Sequence, residues 1–276
     1  HLFPNAIAMQ RQTHRGSYPI LCGDYPRVTT GVPKMTLIAN SGQPVTCLPR
    51  VLRDAGYQTA YLQAASLRFM RKDAFMPLAG FDTVMGRDEF AGLDDSAGGW
   101  GPEDGPFFLA ALKRLKLLEA ADAPWFATLL NVATHHPFVH EDEDPGEALL
   151  TRRQRSFQLL TAALDRLMTA LAAAGMLDNT VVILTSDEAG GYRDQLSSTG
   201  LLHNNFGFMA VRMPDRGTWP PLAAADTLVA HMDVAVTVMD LLGLEAASNM
   251  IGSSMLHNPH RRPRGLLFGD TYGART

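Results

Sequence analysis

Residues 180–186 read TVVILTS, and Asp187, Glu188, Ala189, Gly190 and Gly191 follow at once. Val181, Val182, Ile183 and Leu184 are apolar without alternation, which predicts a strand buried on both faces, the pattern of a central strand in a parallel sheet. Ligands in open α/β sheets bind outside the carboxyl ends of the strands. Asp187 and Glu188 are therefore expected at a ligand-binding edge. Adjacent carboxylates there suit a hard cation or a phosphoester; the plainer alternative is a capped turn with one solvated acid.

Outward from that stretch, strand-like and helix-like segments alternate, the signature of α/β layering with a largely parallel sheet. A helix is expected over 47–55, ended by Gly56, and a strand over 57–63. The spacing of Phe107, Phe108, Ala111, Leu112 and Leu115 predicts a helix over 106–121 with Pro106 in its first turn. A buried strand is expected over 125–133. The longest helix is expected over 147–174, with Phe157, Leu160, Leu164, Leu167 and Leu171 on its buried stripe. A strand over 206–213, a helix over 226–242 stopped by Gly243 and a last strand over 266–268 complete the series. The segment 87–104, rich in Gly and Asp, reads as a loop over one edge, and no internal repeat is found.

The chain has 276 residues, 46% hydrophobic and 19% charged, enough for one large α/β domain, and its net charge of −4 leaves no basic stripe for nucleic acid. Arg261, Arg262 and Arg264 form a short basic run near one end, which reads as a solvated surface. No stretch reaches about 18 consecutive apolar residues, because Asp165 and Arg166 interrupt the best candidate. The chain opens on His1 rather than Met, and an upstream domain portion, membrane segment or export segment is expected. Cys22 and Cys47 are the only cysteines. By themselves they read equally as a disulfide worth about 3 kcal/mol of loop entropy or as two buried thiols.

Four polar clusters fall at or beyond element ends: Thr13-His14-Arg15-Gly16, Thr134-His135-His136-Pro137-Phe138, Asp187-Glu188, and His203 ahead of a strand. A hydroxyl, imidazoles and carboxylates at one sheet edge would let a metal hold an oxyanion while Thr13 attacks. Thr13 reads either as the N-cap of a helix through 17–21 or as a nucleophile, since a helix N-terminus also favours negative charge on an oxygen or a phosphate. Arg15 is placed to hold phosphate oxygens. One of His135 and His136 would otherwise satisfy a main-chain carbonyl while the other meets solvent. No G-x-S-x-G elbow, G-x-x-x-x-G-K-[ST] loop or G-x-G-x-x-G turn occurs, which excludes three common nucleophile and nucleotide schemes.

The order and spacing of these clusters resemble the extracytoplasmic catalytic domain of the lipoteichoic acid synthase and phosphoglycerol transferase family, in the alkaline phosphatase and sulfatase superfamily. Thr13-His14-Arg15-Gly16 with Leu21-Cys22-Gly23 resembles its nucleophile segment. Residues 48–57 (LPRVLRDAGY) resemble the helix before a substrate-site strand, 69–82 (FMRKDAFMPLAGFD) the following stretch, and Trp100-Gly101 a short marker. Residues 134–138 resemble the substrate-side histidine, 185–190 the metal-binding turn, and 231–244 (HMDVAVTVMDLLGL) the late helix of the superfamily. Cys47-Leu48-Pro49-Arg50-Val51 departs from the formylglycine signature C-x-P-x-R at Val51, which excludes that sulfatase chemistry.

The resemblance implies a single domain over 1–276, a three-layer α/β/α sandwich with a mainly parallel central sheet of the alkaline phosphatase type, lacking the family's first strand. It implies Thr13 as nucleophile and metal ligand, Asp187 as metal ligand and His135 as a contact to the substrate phosphate, with Arg15, Lys72, His136 and His203 completing the substrate site. Lys72 stands where the family tends to have an arginine, Met70 where it can have a tryptophan, and Glu188 where it usually has a metal-binding histidine. A glutamate ligates through oxygen, so Mn²⁺ or Mg²⁺ is favoured over Zn²⁺. A lipid-derived or glycan phosphodiester is the implied substrate, handled outside the cytoplasm by a monomer tethered to the membrane through an upstream segment. That location implies a Cys22–Cys47 disulfide. A degenerate binding module and a phosphoethanolamine transferase are the alternatives.

Overall fold

The computed structural model describes residues 1–9, 12–25, 35–90, 92–93, 96–140, 148–188, 205–245, 247 and 249–257. The chain begins with strands β1 (Leu2–Phe3) and β2 (Ala6–Ile7), then helices α1 (Thr13–Cys22), α2 (Thr36–Ser41) and α3 (Leu48–Asp54). It continues through β3 (Gln58–Gln63), α4 (Lys72–Ala79), β4 (Thr83–Met85), α5 (Asp104–Glu119), β5 (Trp125–Leu130) and α6 (Leu149–Ala173). The last elements are β6 (Val182–Thr185), β7 (Met209–Arg212), β8 (Val229–Ala230) and α7 (Asp233–Leu241). Two compact units result, one of residues 1–48 with 179–276 and one of 49–178.

In the unit of residues 49–178, β3 lies between β4 and β5 and runs parallel to both. Parallel neighbours need a crossover, and α4 and α5 supply one each. Five of the six β3 residues, Thr59 to Gln63, are buried. Burying the Gln63 amide would cost about 1–3 kcal/mol if it were left unpaired. Instead the Tyr61 hydroxyl donates to its Oε1 at 2.8 Å, and its Nε2 donates to the carbonyls of Ala65 and Ser66 at 3.0 and 2.9 Å. This ties the loop leaving β3 to the strand end.

Helix α5 starts two residues before the expected Pro106, because the buried Asp104 forms its first turn and takes loop hydrogen bonds. Phe107, Phe108, Ala111, Leu112 and Leu115 are buried as the spacing predicted. On α6 the expected stripe holds at Leu167 and Leu171, which are buried with Ser156 and Ala163, and at the half-buried Leu160 and Leu164, but is corrected at Phe157, which is 47% exposed and packs beneath the Arg153 guanidinium. Hydrophobicity alone chose Phe157. A short polar residue one position earlier is buried because it has a hydrogen-bond partner there, His140.

In the other unit β2 pairs with β8 in parallel, whereas β7 is antiparallel to both β1 and β6. The α/β architecture with mainly parallel pairing is as expected. The placement of β6 is not: it is half-buried, with Leu184 37% exposed, and ends the described order β1-β7-β6 with an antiparallel neighbour, because an apolar run does not fix which strands arrive beside it. The helix expected over 226–242 begins only at Asp233, since Val229 and Ala230 pair with Ala6 and Ile7. Tertiary pairing overrides the helical pattern there. The strand expected over 266–268 lies outside the described residues. Phe3, Met209, Val211, Val229 and Met255 form one apolar cluster, and Ile7, Met9, Ala230 and Met232 another. No helix among the described residues is long and apolar enough to cross a membrane.

Cys22, at the last turn of α1, is joined to Cys47, at the start of α3, and both are fully buried. Neither thiol is free, as the family resemblance implied. Replacing both by Ser is expected to lower stability by about 3 kcal/mol. Urea unfolding checks it: dithiothreitol should shift the midpoint of the native chain and leave that of the double variant in place.

Candidate active site

The site begins with two main-chain segments that approach each other. Met9 ends the segment after β2, the chain turns at Gln12, and α1 starts at Thr13. Gln12 has φ 74°, a region that side chains with a Cβ seldom adopt. Its amide donates to Glu188 Oε2 at 2.7 Å, and its carbonyl accepts from the amides of Arg15 and Gly16 at 2.9 and 3.0 Å. Glu188 therefore braces the strained turn that precedes Thr13. The reading of Thr13 as an N-cap is corrected: Gln12 occupies the cap position, without a side-chain cap, and Thr13 is the first helical residue.

One helical turn on, Gly16 is pressed against the end of β6. A Cβ at Gly16 would lie 1.6 Å from the Asp187 carbonyl oxygen. The helix can only come this close because the residue has no side chain. Thr13, Asp187 and Glu188, separated by more than 170 residues in sequence, thus share one corner of the fold, the hydroxyl at the positive end of a helix. His14 and Arg15 are each 4% exposed. Loss of hydration pulls the Arg15 pKa below its ordinary value, though a guanidinium stays cationic at neutral pH.

Beneath this corner lies His231, which sequence reading placed only in a family-wide helix and did not single out. It is 1% exposed, between β8 and α7, and its amide donates to the Ile7 carbonyl at 3.3 Å. Neither ring nitrogen reaches hydrogen-bond geometry, although the Ser186 main chain lies close enough to favour protonation. Desolvation dominates and takes the imidazole down to about 4. The one signal in the sequence was a histidine two residues before the buried Asp233, whose carboxylate accepts from the amides of Ala230 and Ser253.

The unit of residues 49–178 holds the other predicted residues. Lys72 opens α4 and is 2% exposed, preceded by Met70 and Arg71 with φ of 63° and 56°. His135 and His136 are exposed, in a loop closed by Phe138 with φ 61°. The His135 ring lies 4.2 Å from that of Trp100, and Trp100 meets Phe69 edge-on at 5.3 Å. Trp100 and His135, noted separately in the sequence, are thus neighbours. Among the described residues, four of the five non-glycine residues with positive φ adjoin Thr13, Lys72 or the His135 loop in sequence, positions where backbone strain accompanies candidate functional residues. His203 lies outside the described residues.

The chain belongs to the sulfatase family, whose model matches residues 1–244. It is 26% identical over 223 residues to phosphoglycerol transferase I of Escherichia fergusonii, an alignment covering 76% of this chain and 29% of that protein. The chain thus spans less than a third of that relative's length. Among solved structures it is similar to the lipoteichoic acid synthase of Listeria monocytogenes, with TM-score 0.74 and 18% identity over 92% of this chain and 65% of that one. It is also similar to an alkaline phosphatase superfamily protein of Vibrio parahaemolyticus, with TM-score 0.73 and 19% identity over 91% and 60%. The fold is that of the alkaline phosphatase superfamily, as the polar clusters implied. Despite the family's name, Cys47 is held in its disulfide.

Two outcomes are expected from this geometry. Gly16→Ala should force α1 off the Asp187 carbonyl and cost about 3 kcal/mol or more, whereas Ala at Gly105, where nothing lies within 4 Å of an added Cβ and φ is not positive, should cost far less; thermal unfolding of both variants compares them. Because the folded pKa of His231, about 4, lies below the ordinary 6.5, protons favour the unfolded chain. Stability is whole above pH 6.5 and is lost as the pH falls from 6.5 to 4, by about 3 kcal/mol. Urea unfolding across that window should show the slope in the native chain and less of it in His231→Leu.

Proposed function

We propose that the chain is the catalytic part of a metal-dependent phosphotransferase or phosphoester hydrolase that works outside the cytoplasm on a lipid-derived or glycan phosphodiester. The observation that supports this best is the convergence of the Thr13 helix start with Asp187 and Glu188. The Thr13 hydroxyl and the two carboxylates are oxygen donors, which suits Mn²⁺ or Mg²⁺ before Zn²⁺. Among the described residues no three of His, Cys, Asp and Glu form a cluster. Thr13, Asp187 and Glu188 match a hard cation in donor type and are the residues that would hold it. A bound divalent cation would lower the pKa of the hydroxyl and neutralise phosphoryl oxygens.

The chain's own part runs as follows. Thr13 Oγ1 passes its proton to solvent, the resulting alkoxide being favoured by the helix N-terminus, and attacks phosphorus. The Oγ1–P bond forms as the bond from phosphorus to the leaving alkoxide breaks, giving a phospho-threonine. An acceptor hydroxyl or water then attacks that phosphorus and releases Thr13. Arg15 and Lys72 supply positive charge toward phosphate oxygens, Lys72 without the fork of a guanidinium. His135 steadies the substrate phosphate, with His136 and His203 as further contacts.

One observation favours a second reading, a sulfatase-fold binding module: Glu188 spends an oxygen on the Gln12 amide. Turnover of bis-p-nitrophenyl phosphate with added Mn²⁺ separates the two. Catalysis predicts that Thr13→Ala lowers the rate at least about 10³-fold and abolishes a phosphorylated tryptic peptide containing residue 13, whereas Thr13→Ser keeps both. Full turnover by Thr13→Ala overturns the nucleophile, and a native chain silent with every metal is what the binding module predicts.

A further inference from the structure

The loop over 131–140, which carries His135 and His136 between its ends, is held at both ends by buried polar groups that the mechanism above does not use. At its start, the Asp104 carboxylate accepts from Asn131 Nδ2 at 3.1 Å and from the Ala133 amide at 3.3 Å, with the Val132 amide also bonded to it. At its end, His140 is 4% exposed. Its Nε2 lies 2.5 Å from Ser156 Oγ on α6, and its Nδ1, which makes no hydrogen bond, lies 3.4 Å from Glu103 Oε1, next to Asp104, an ion pair only when the ring is protonated. The start of α5 thus reaches both ends of the loop through two consecutive acids. A cavity of about 110 Å³ lined by Glu103, Asp104, Ala133, His140, Ala163 and Arg166 lies beside them.

Serine, imidazole and carboxylate in this order also describe a nucleophilic triad. Burial excludes that role. Ser156 is 0% exposed, inside a helix, and its hydroxyl donates to the Arg152 carbonyl at 3.1 Å. No substrate reaches it. A hydroxyl has one proton, so when Arg152 receives it, His140 Nε2 must donate to Ser156 Oγ; otherwise Ser156 donates to the ring. In both states the contact ties the loop end to α6. Isolated buried groups of this polarity would be costly, whereas a connected network specifies one arrangement.

We propose that Glu103, Asp104, His140 and Ser156 are positioning residues, a two-ended clamp that fixes the loop presenting His135 and His136 to the substrate. The functional half of this inference rests on the reading of His135 as a phosphate contact; the mechanical half does not. Inside the clamp, short turns close the loop, the His135 amide donating to the Val132 carbonyl and the Phe138 amide to the His135 carbonyl, each at 2.9 Å. With both ends held, the two imidazoles vary little in position, and substrate binding need not order them.

Two readouts on the purified protein test this. In His140→Leu, hydrogen exchange at the amides of Ala133, His135 and Phe138 should accelerate about tenfold or more, the loss of one buried hydrogen bond to a charged or polar partner, while the β3–β5 ladder stays as protected as before. His140→Gln, which keeps a donor toward Ser156, should restore most of the protection. Glu103→Gln, at a half-buried position, gives a milder form of the same pattern if His140→Leu does not fold. With bis-p-nitrophenyl phosphate, KM should rise about tenfold and kcat stay within about threefold. Unchanged loop exchange, or equal acceleration in loop and ladder, overturns the clamp. Faster loop exchange with unaltered KM overturns its role toward substrate. A native chain without turnover counts against the phosphotransferase reading, and the exchange readout still decides the clamp.

Discussion

The approach of the α1 backbone to the Asp187 carbonyl is the constraint on which the candidate site depends. Helix α1 and the end of β6 meet with no side chain between them at Gly16, and Glu188 then reaches the turn at Gln12 that starts the helix. Neither contact is apolar. What drives them together is the apolar packing on either side: Ile7, Met9, Ala230 and Met232 beneath β2 and β8, and Phe3, Met209 and Val211 around β7. The hydrophobic clusters supply the energy, and the close polar contacts set where the hydroxyl and carboxylates end up.

Polar groups in the interior repeat this division of labour. Gln63, Asp233 and Asp104 are each almost fully buried. Each has main-chain partners that hold a loop against the end of a strand or helix. Burial pushes the Asp104 carboxyl above its ordinary range, opposed by the hydrogen bonds from Asn131, Ala133 and Val132 and by electrostatic interaction with His140. Such groups contribute little net stability compared with an apolar core, but they reject alternative loop positions because any other position leaves them unpaired. His231 stands apart, buried with a ring that makes no hydrogen bond, beside the Ser186 main chain just before Asp187.

Much of the fold was legible in the residues. The strands at β3 and β5 and the helices α3 and α5 were recognisable from apolar period and from glycine and proline punctuation, and the polar clusters at element ends carried the family resemblance. Other features were not legible. Hydrophobicity predicts Phe157 facing inward, yet Ser156 is the buried residue because His140 lies opposite it. The segment before α7 has a helical pattern but pairs as β8. His140 passed unnoticed because its partners, Glu103 and Ser156, lie on two helices whose facing surfaces cannot be read from either alone.

The sequence by itself determined the α/β class, the apolar period of each long element, and the identity of a hydroxyl, imidazoles and carboxylates near element ends, because these are local properties of side-chain chemistry and spacing. Only the tertiary structure decided that β6 pairs antiparallel with β7, that Gly16 admits Asp187, that Glu188 braces Gln12 and that His140 joins Glu103 to Ser156. Each of those depends on which distant backbone arrives alongside, and pairing direction, close approach and the partner of a buried proton are properties of two segments at once.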